Sequence, residues 1–160
     1  VRAPVLVLGL GNELFSDEGV GVVASRRIAE LDFPDTEVVD GGTLGLSLLP
    51  TIEGRDALLV LDAIVDSDLA PGSVVVYDGE DLRREARLLY SAHQLGVNEV
   101  LAAADLAGVA PLEVAAVGMV PESVNTGYGI TDTAAMALDE MVAVARRVLI
   151  EFETRRVARA

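Results

Sequence analysis

Two short runs, Pro4–Leu8 (PVLVL) and Ala57–Leu61 (ALLVL), are apolar at every position. A strand with one face in water alternates polar and apolar residues. A run with no polar position suits a strand covered on both faces, as at the centre of a sheet with helices above and below. The segments between and after these runs fit that frame. Glu18–Leu31 carries Val20, Val23, Ala24, Ile28 and Leu31 close to helical spacing. Thr36–Val39 is β-branched and ends at Asp40-Gly41-Gly42, a turn signal. Leu44–Ile52 reads as a short helix with Thr43 as its N-cap, although Pro50 conflicts with its end. Ser73–Tyr77 and Leu112–Val117 complete a set of five strands. Asp78–Tyr90 is charged and less regular, while Gln94–Leu106 is helical with Gly108 as C-cap. Thr131–Phe152 forms a long last helix, capped by Thr131 or Asp132. Strands and helices alternating at this pitch predict a single α/β domain over residues 1–152. It is a three-layer sandwich whose mostly parallel five-stranded sheet is flanked by helices on both faces. Residues 153–160 read as a flexible tail.

The chain has 160 residues, of which 51% are hydrophobic, enough for one domain with a real core. Its formal charge of -14 argues against a nucleic-acid partner or an anionic membrane surface, which both require a basic footprint. Zero cysteines exclude a disulfide framework, a thiol nucleophile and a thiolate metal site. With no signal-peptide pattern at the N-terminus and no apolar stretch of membrane-spanning length, the expected setting is cytoplasmic.

In an open parallel sheet, ligands bind beyond the carboxyl ends of the strands. The first strand exits into Gly9–Glu18, the second into Asp40-Gly41-Gly42-Thr43, and the third into Asp62-Ala63. His93, the one histidine, stands just ahead of a helix. The glycine-rich turn after the first strand resembles a phosphate cradle, yet Asp17 and Glu18 occupy the helix entrance where the phosphate would sit. Two anions share such a place only with a cation between them. Carboxylates and an imidazole on one rim suit divalent nickel, zinc, cobalt or manganese.

Each residue also has a plain structural reading. Asp62 can cap a turn, His93 can pack at a helix start, and Glu18 favours the positive end of a helix dipole. Their joint placement at strand exits is what points to a site. A nucleotide-binding module is the competing reading, since Gly9-x-Gly11 opens the dinucleotide fingerprint and Asp40 stands where a ribose-binding acid would. Leu14, however, replaces the third glycine, and a chain without lysine cannot form a P-loop. No G-x-S-x-G elbow occurs, and Ser91 reads as a helix N-cap.

The segment Gly9-Leu10-Gly11-Asn12-Glu13-Leu14-Phe15-Ser16-Asp17-Glu18-Gly19-Val20-Gly21 resembles the opening motif of the hydrogenase maturation proteases. These endopeptidases process the large subunit of nickel–iron hydrogenases. The likeness continues through Asp40–Leu46, Leu61-Asp62-Ala63, Ser91–Gly96, Pro121-Glu122-Ser123 and Gly127-Tyr128-Gly129-Ile130, in order along almost the whole chain. One departure is the acidic pair, often Asp-Asp in the family and here Asp17-Glu18.

The resemblance implies that Glu18, Asp62 and His93 are the metal-binding positions. It also implies removal of a short C-terminal extension from a large-subunit precursor once nickel is in place. The nickel belongs to the substrate, and no nucleotide cofactor is expected. On this reading the metal polarises the scissile carbonyl or activates a water, and Asp17 or a ligand carboxylate is the general base. Asp40, Gly41, Gly42 and Thr43 shape the rim that receives the peptide. A non-catalytic nickel-checkpoint chaperone of the same precursor is the alternative that the same three ligands would serve.

Overall fold

In the computed structural model, residues 2–84 and 97–160 are described. Five strands form one sheet: β1 (Val5–Leu10), β2 (Thr36–Gly42), β3 (Ala57–Ala63), β4 (Val74–Asp78) and β5 (Glu113–Met119), in the order β2-β1-β3-β5-β4. β1, β2, β3 and β5 run parallel, with Val5 opposite both Thr36 and Ala57, and Ala57 opposite Glu113. β4 is antiparallel to β5. Its direction follows from its connection: the described chain between Ala63 and Val74 contains no helix, so it re-enters the sheet from the edge it has just left. The architecture is the expected mostly parallel α/β sandwich.

Strand periodicity divides the core into two layers. Val5 and Val7 of β1, Leu59 and Leu61 of β3, and Val117 of β5 pack with α1 (Val20–Ala29) and α5 (Asp132–Arg159) on one face. Leu6, Leu8, Leu58, Val60 and Ala116 pack on the other with α2 (Leu49–Ile52), α3 (Gly79–Arg84) and α4 (Val97–Ala107). This double burial is why the β1 and β3 runs contain no polar residue before their exits. From β1 the chain passes to β2 on one side and later to β3 on the other, with α1 and α2 on opposite faces. The carboxyl ends of β1 and β3 therefore flank the topological switch point, where such sheets open a crevice.

Several boundaries differ from the sequence reading for local reasons. The helix expected from Glu18 begins as a 3-10 turn, Ser16–Gly19, and becomes α-helical at Val20. Pro50 is accommodated because a second 3-10 turn, Gly45–Leu48, precedes α2. Proline then sits in the first turn of α2, where its missing N–H costs nothing. Thr131 caps α5, its hydroxyl oxygen accepting from the Ala134 N–H. Gly108 ends α4 at a φ of 69°, as a C-terminal glycine should.

The expected tail is a correction: α5 runs on through residues 153–159. Its last turns are held by Glu113 at the start of β5, which is nearly buried and accepts from Arg155 at 2.9 Å and Arg159 at 2.8 Å. That partner is 42 residues distant from Arg155 in sequence, so no local pattern signals it. No helix among the described residues is long and apolar enough to cross a membrane.

Candidate active site

The turn after β1 is shaped by contacts that only glycine permits. Gly11 has a φ of 121°, and a side chain there would place its Cβ 1.8 Å from the carbonyl oxygen of Glu18. Gly21 lies so close to the ends of the two central strands that a Cβ would meet the carbonyl oxygens of Leu61 at 2.1 Å and Leu10 at 2.5 Å. The start of α1 is thereby pressed onto the exits of β1 and β3, and the 3-10 turn that carries Glu18 packs against β3.

Glu18 is half-buried, and its negative charge acts on Asp62. Asp62 is 5% exposed, and its Oδ1 accepts from the Ala63 N–H at 2.8 Å. Burial pushes the Asp62 carboxyl well above its ordinary pKa. The Ala63 hydrogen bond opposes that shift, and the Glu18 charge adds to it. Asp62 shares the strand parity of Leu58 and Val60, which places it on the α4 side of the sheet, opposite Gly118 of β5. Glu18 and Asp62 thus stand at the exits of the two central strands, close enough for the charge of one to act on the other. His93 lies outside the described residues; α4 begins at Val97, just beyond it in the chain. Among the described residues no group of three or more His, Cys, Asp or Glu side chains is arranged to hold a metal ion.

Asp17 has different surroundings from its neighbour. It is fully buried, and its carboxylate accepts four hydrogen bonds. The donors are the N–H groups of Glu122 (2.9 Å), Ser123 (3.3 Å) and Thr131 (2.7 Å), and the Thr131 hydroxyl (2.8 Å). Its own N–H donates to the Ser123 carbonyl at 3.0 Å. Pro121-Glu122-Ser123 and the loop ahead of α5 are thus wrapped around this one carboxylate. Sequence reading picked out those motifs without finding their common purpose, because the residues they serve lie more than a hundred positions away.

The second exit is organised by its own acid. The Asp40 Oδ1 accepts from the Gly42 N–H at 3.1 Å, holding the Asp40-Gly41-Gly42 turn, while Thr43 stands exposed beyond it. Arg26 of α1 reaches across to Asp40 at 3.4 Å and donates two hydrogen bonds to Glu13, at 2.8 and 2.7 Å. Hydrogen bonding to this guanidinium holds the Glu13 carboxyl below its usual range. Neither Glu13 nor Arg26 was singled out from sequence. An arginine lying 13 and 14 residues from two acids on different exits leaves no local trace, and it becomes visible only when α1 is laid beside β2.

A protein-family model described as hydrogenase maturation protease matches residues 22–148. The chain belongs to that family. Among related hydrogenase maturation proteases, it is 38% identical over 156 residues to the hydrogenase 2 maturation protease of Escherichia coli K12, covering 92% of this chain and 93% of that one. It is also 38% identical over 149 residues to the hydrogenase expression/formation protein HupD of Rhodobacter capsulatus, covering 91% of this chain and 70% of the relative. The solved structure of the hydrogenase maturating endopeptidase HybD from E. coli superimposes with a TM-score of 0.84 at 34% identity, over 92% of each chain. The hydrogenase maturation protease HybD of Thermococcus kodakarensis does so at 0.74 and 29% identity, over 90% of this chain and 97% of that one. Family membership assigns the chain to the peptidases that mature hydrogenases, in agreement with the resemblance read from its motifs.

Proposed function

We propose that this maturation protease removes the C-terminal extension of a nickel–iron hydrogenase large-subunit precursor, and that Glu18, Asp62 and His93 grip the nickel which that precursor carries. The observation that carries the reading is the buried Asp62 at the exit of β3, within range of the charge of Glu18 beside the exit of β1. Two carboxylates from different exits, one of them buried, act on each other unfavourably, and a cation between them relieves both the repulsion and the burial. Two oxygens and an imidazole nitrogen suit nickel and leave coordination positions for ligands that the substrate brings. The parity of Asp62 supports His93 as third ligand, since it faces the side of the sheet whose helix α4 follows His93 in the chain.

Nickel held there supplies Lewis acidity at the scissile carbonyl. The remaining work falls to side chains. Asp17, with its oxygens committed to four donors, is a positioning residue that fixes the turn carrying Glu18. General-base duty then passes to a ligand carboxylate, and Glu18 is the one with access to solvent. It takes a proton from the attacking water, and the departing amide nitrogen receives one as the peptide bond breaks. Asp40, Gly41, Gly42 and Thr43 receive the extended segment beside this centre. No step calls for a nucleotide, and the cysteine-free chain fits a cytoplasmic setting.

Incubation of a nickel-loaded precursor with wild type, Glu18→Gln, Asp62→Asn and His93→Gln tests the assignment, with mass spectrometry following loss of the C-terminal fragment. Wild type is expected to release it and the variants to release little or none. Undiminished processing by all three variants would overturn the site. Tight binding by wild type without any cleavage would favour a nickel-checkpoint chaperone.

A further inference from the structure

β4 is an edge strand, and among the described residues no strand pairs with its outer side. Its backbone groups divide by parity. The Val120 N–H donates to the carbonyl of Ser73, directly opposite, at 2.9 Å. Ser73, Val75 and Tyr77 therefore turn their N–H and C=O groups toward β5, while Val74 and Val76 turn theirs outward. An unpaired row of this kind is a template for another strand, and proteins ordinarily blunt it with charge, proline or a bulge. The opposite edge is blunted in that way. There β2 carries Glu37 and Asp40, paired with Arg55 and Arg26, and its register with β1 shifts near its end. In contrast, β4 runs Val74-Val75-Val76-Tyr77 before its first charged residue, Asp78.

Beside that edge lies a groove of about 300 Å³, between β4, the start of β5 and the later turns of α5. Val76, Ala115 and the α5 residues Val148 and Phe152 give it an apolar side. Val76 stands opposite Val117, which belongs to the α5 layer of the core, yet it is 46% exposed. Four carboxylates line the groove, from Asp78, Glu80, Glu113 and Glu151, against the one guanidinium of Arg155. That guanidinium is already engaged with Glu113 and Glu151. The groove is therefore acidic as well as apolar, and Val76 belongs to both groove and edge.

The occupant follows from this combination. A strand laid along β4 pairs with the outward groups of Val74 and Val76, and its alternate side chains stand over the groove. Arginine or lysine suits those positions, with an apolar stem against the valines and a cationic head among the carboxylates. A small cation would leave the backbone row unpaired. A second copy of this chain is disfavoured, because it brings Asp78 and the same acidic lining from a molecule of charge -14. The surface is separate from the candidate active site: Asp62 lies on the other face of the sheet, opposite Gly118 rather than the start of β5.

We propose that the free edge of β4 and the groove beside α5 bind an extended segment of a partner protein, in which basic residues alternate with apolar ones, as a sixth strand of the sheet.

The probe is a blocked heptapeptide of alternating arginine and valine, titrated into the full chain by calorimetry. The same peptide with glutamate in place of arginine serves as comparison. The arginine peptide is expected to bind saturably and the glutamate peptide not to bind. Amide hydrogen exchange locates the contact: Val74 and Val76 should gain protection of about tenfold or more, while Val75 and Tyr77, already bonded to β5, change little. Val76→Pro removes one outward N–H at a position where an edge strand accepts proline, and should raise Kd about tenfold. Val76→Lys keeps that N–H and sets a cation over the groove, so a rise in Kd is expected whether or not the proline variant folds. Met136→Lys adds the same charge at an exposed position near the start of α5, remote from the groove, and should leave Kd at the wild-type value. Absence of saturable binding, equal binding of the glutamate peptide, or protection along β2 instead of β4 would overturn the inference. So would a Kd unmoved by the Val76 substitutions or raised equally by Met136→Lys. A wild-type dimer that Val76→Lys dissociates would also overturn it, because the edge would then belong to a second copy.

Discussion

Asp17 and Glu18 are adjacent carboxylates of one 3-10 turn, and the fold gives them opposite tasks. Asp17 is enclosed by four donors, whereas the charge of half-buried Glu18 acts on Asp62. Asp17→Asn removes the charge and turns an amide N–H₂ toward backbone N–H groups that can only donate. It is expected to cost about 3 kcal/mol, the scale of hydrogen bonds to a buried charge, and to lower Tm. Glu18→Gln should leave Tm at or above wild type while abolishing metal-dependent processing. Thermal unfolding paired with cleavage assays distinguishes them, and equal loss of stability in both variants would refute the division.

Asp62 carries a pH signature. An unfolded aspartate titrates near about 3.9, and burial raises the folded carboxyl well above that. The folded state therefore holds this proton more tightly than the unfolded one. The stability Asp62 contributes is fully present below the unfolded pKa and is lost as pH rises through the folded pKa. Asp62→Asn keeps the acceptor for the Ala63 N–H and removes the charge, so its stability gain over wild type should grow with pH across that window. Metal binding has the reverse dependence, strengthening with pH and releasing a proton. Cadmium titrations in two buffers of different ionisation enthalpy read this directly.

At the scale of elements, the decisive contact is α1 against the ends of β1 and β3. Gly21→Ala would drive a methyl group into the Leu61 carbonyl, a backbone atom that cannot swing aside. Displacement of α1 should cost about 1–3 kcal/mol, as overpacking does. It should also weaken cadmium binding by moving Glu18 away from Asp62, even though Gly21 itself offers no ligand. Unaltered cadmium affinity in a destabilised Gly21→Ala protein would show that this packing does not set the site. Elements of this kind were partly legible in advance. The apolar runs of β1 and β3 announced central strands, and the glycines around Asp17-Glu18 announced a tight turn. The extension of α5 beyond Phe152 was not legible, because its stabilising acid, Glu113, comes from another layer.

Across the whole molecule, the two edges of the sheet have separate roles. The carboxyl edge carries Glu18 and Asp62. The amino edge is closed by ion pairs and hydrogen bonds, among them the buried Arg55, which donates to the Ala3 carbonyl at 2.6 Å, the Thr51 carbonyl at 3.1 Å and the Glu37 carboxylate. Arg55→Met strips donors from those carbonyls and is expected to cost about 3 kcal/mol with processing per folded molecule unchanged. Denaturant unfolding beside cleavage assays checks this. A fall in kcat at full folding would tie the two edges together.

The sequence alone determined the α/β class, the central strands and the acids at their exits. Those properties follow from local periodicity, from glycine at tight turns, and from the rule that loops after parallel strands share an edge. What tertiary structure decided was which acid does what. Asp17, Glu18 and Asp40 are interchangeable on paper as carboxylates at strand exits. Only the packing of the loop before α5, the crossing of α1 over β3 and the reach of Arg26 separate them. The loop makes Asp17 a buried anchor, Arg26 pairs with Asp40 beside its turn, and the charge of Glu18 acts on buried Asp62. Hydrogen bonds spanning a hundred residues and charges meeting across layers have no local pattern, so they enter only when the chain is folded.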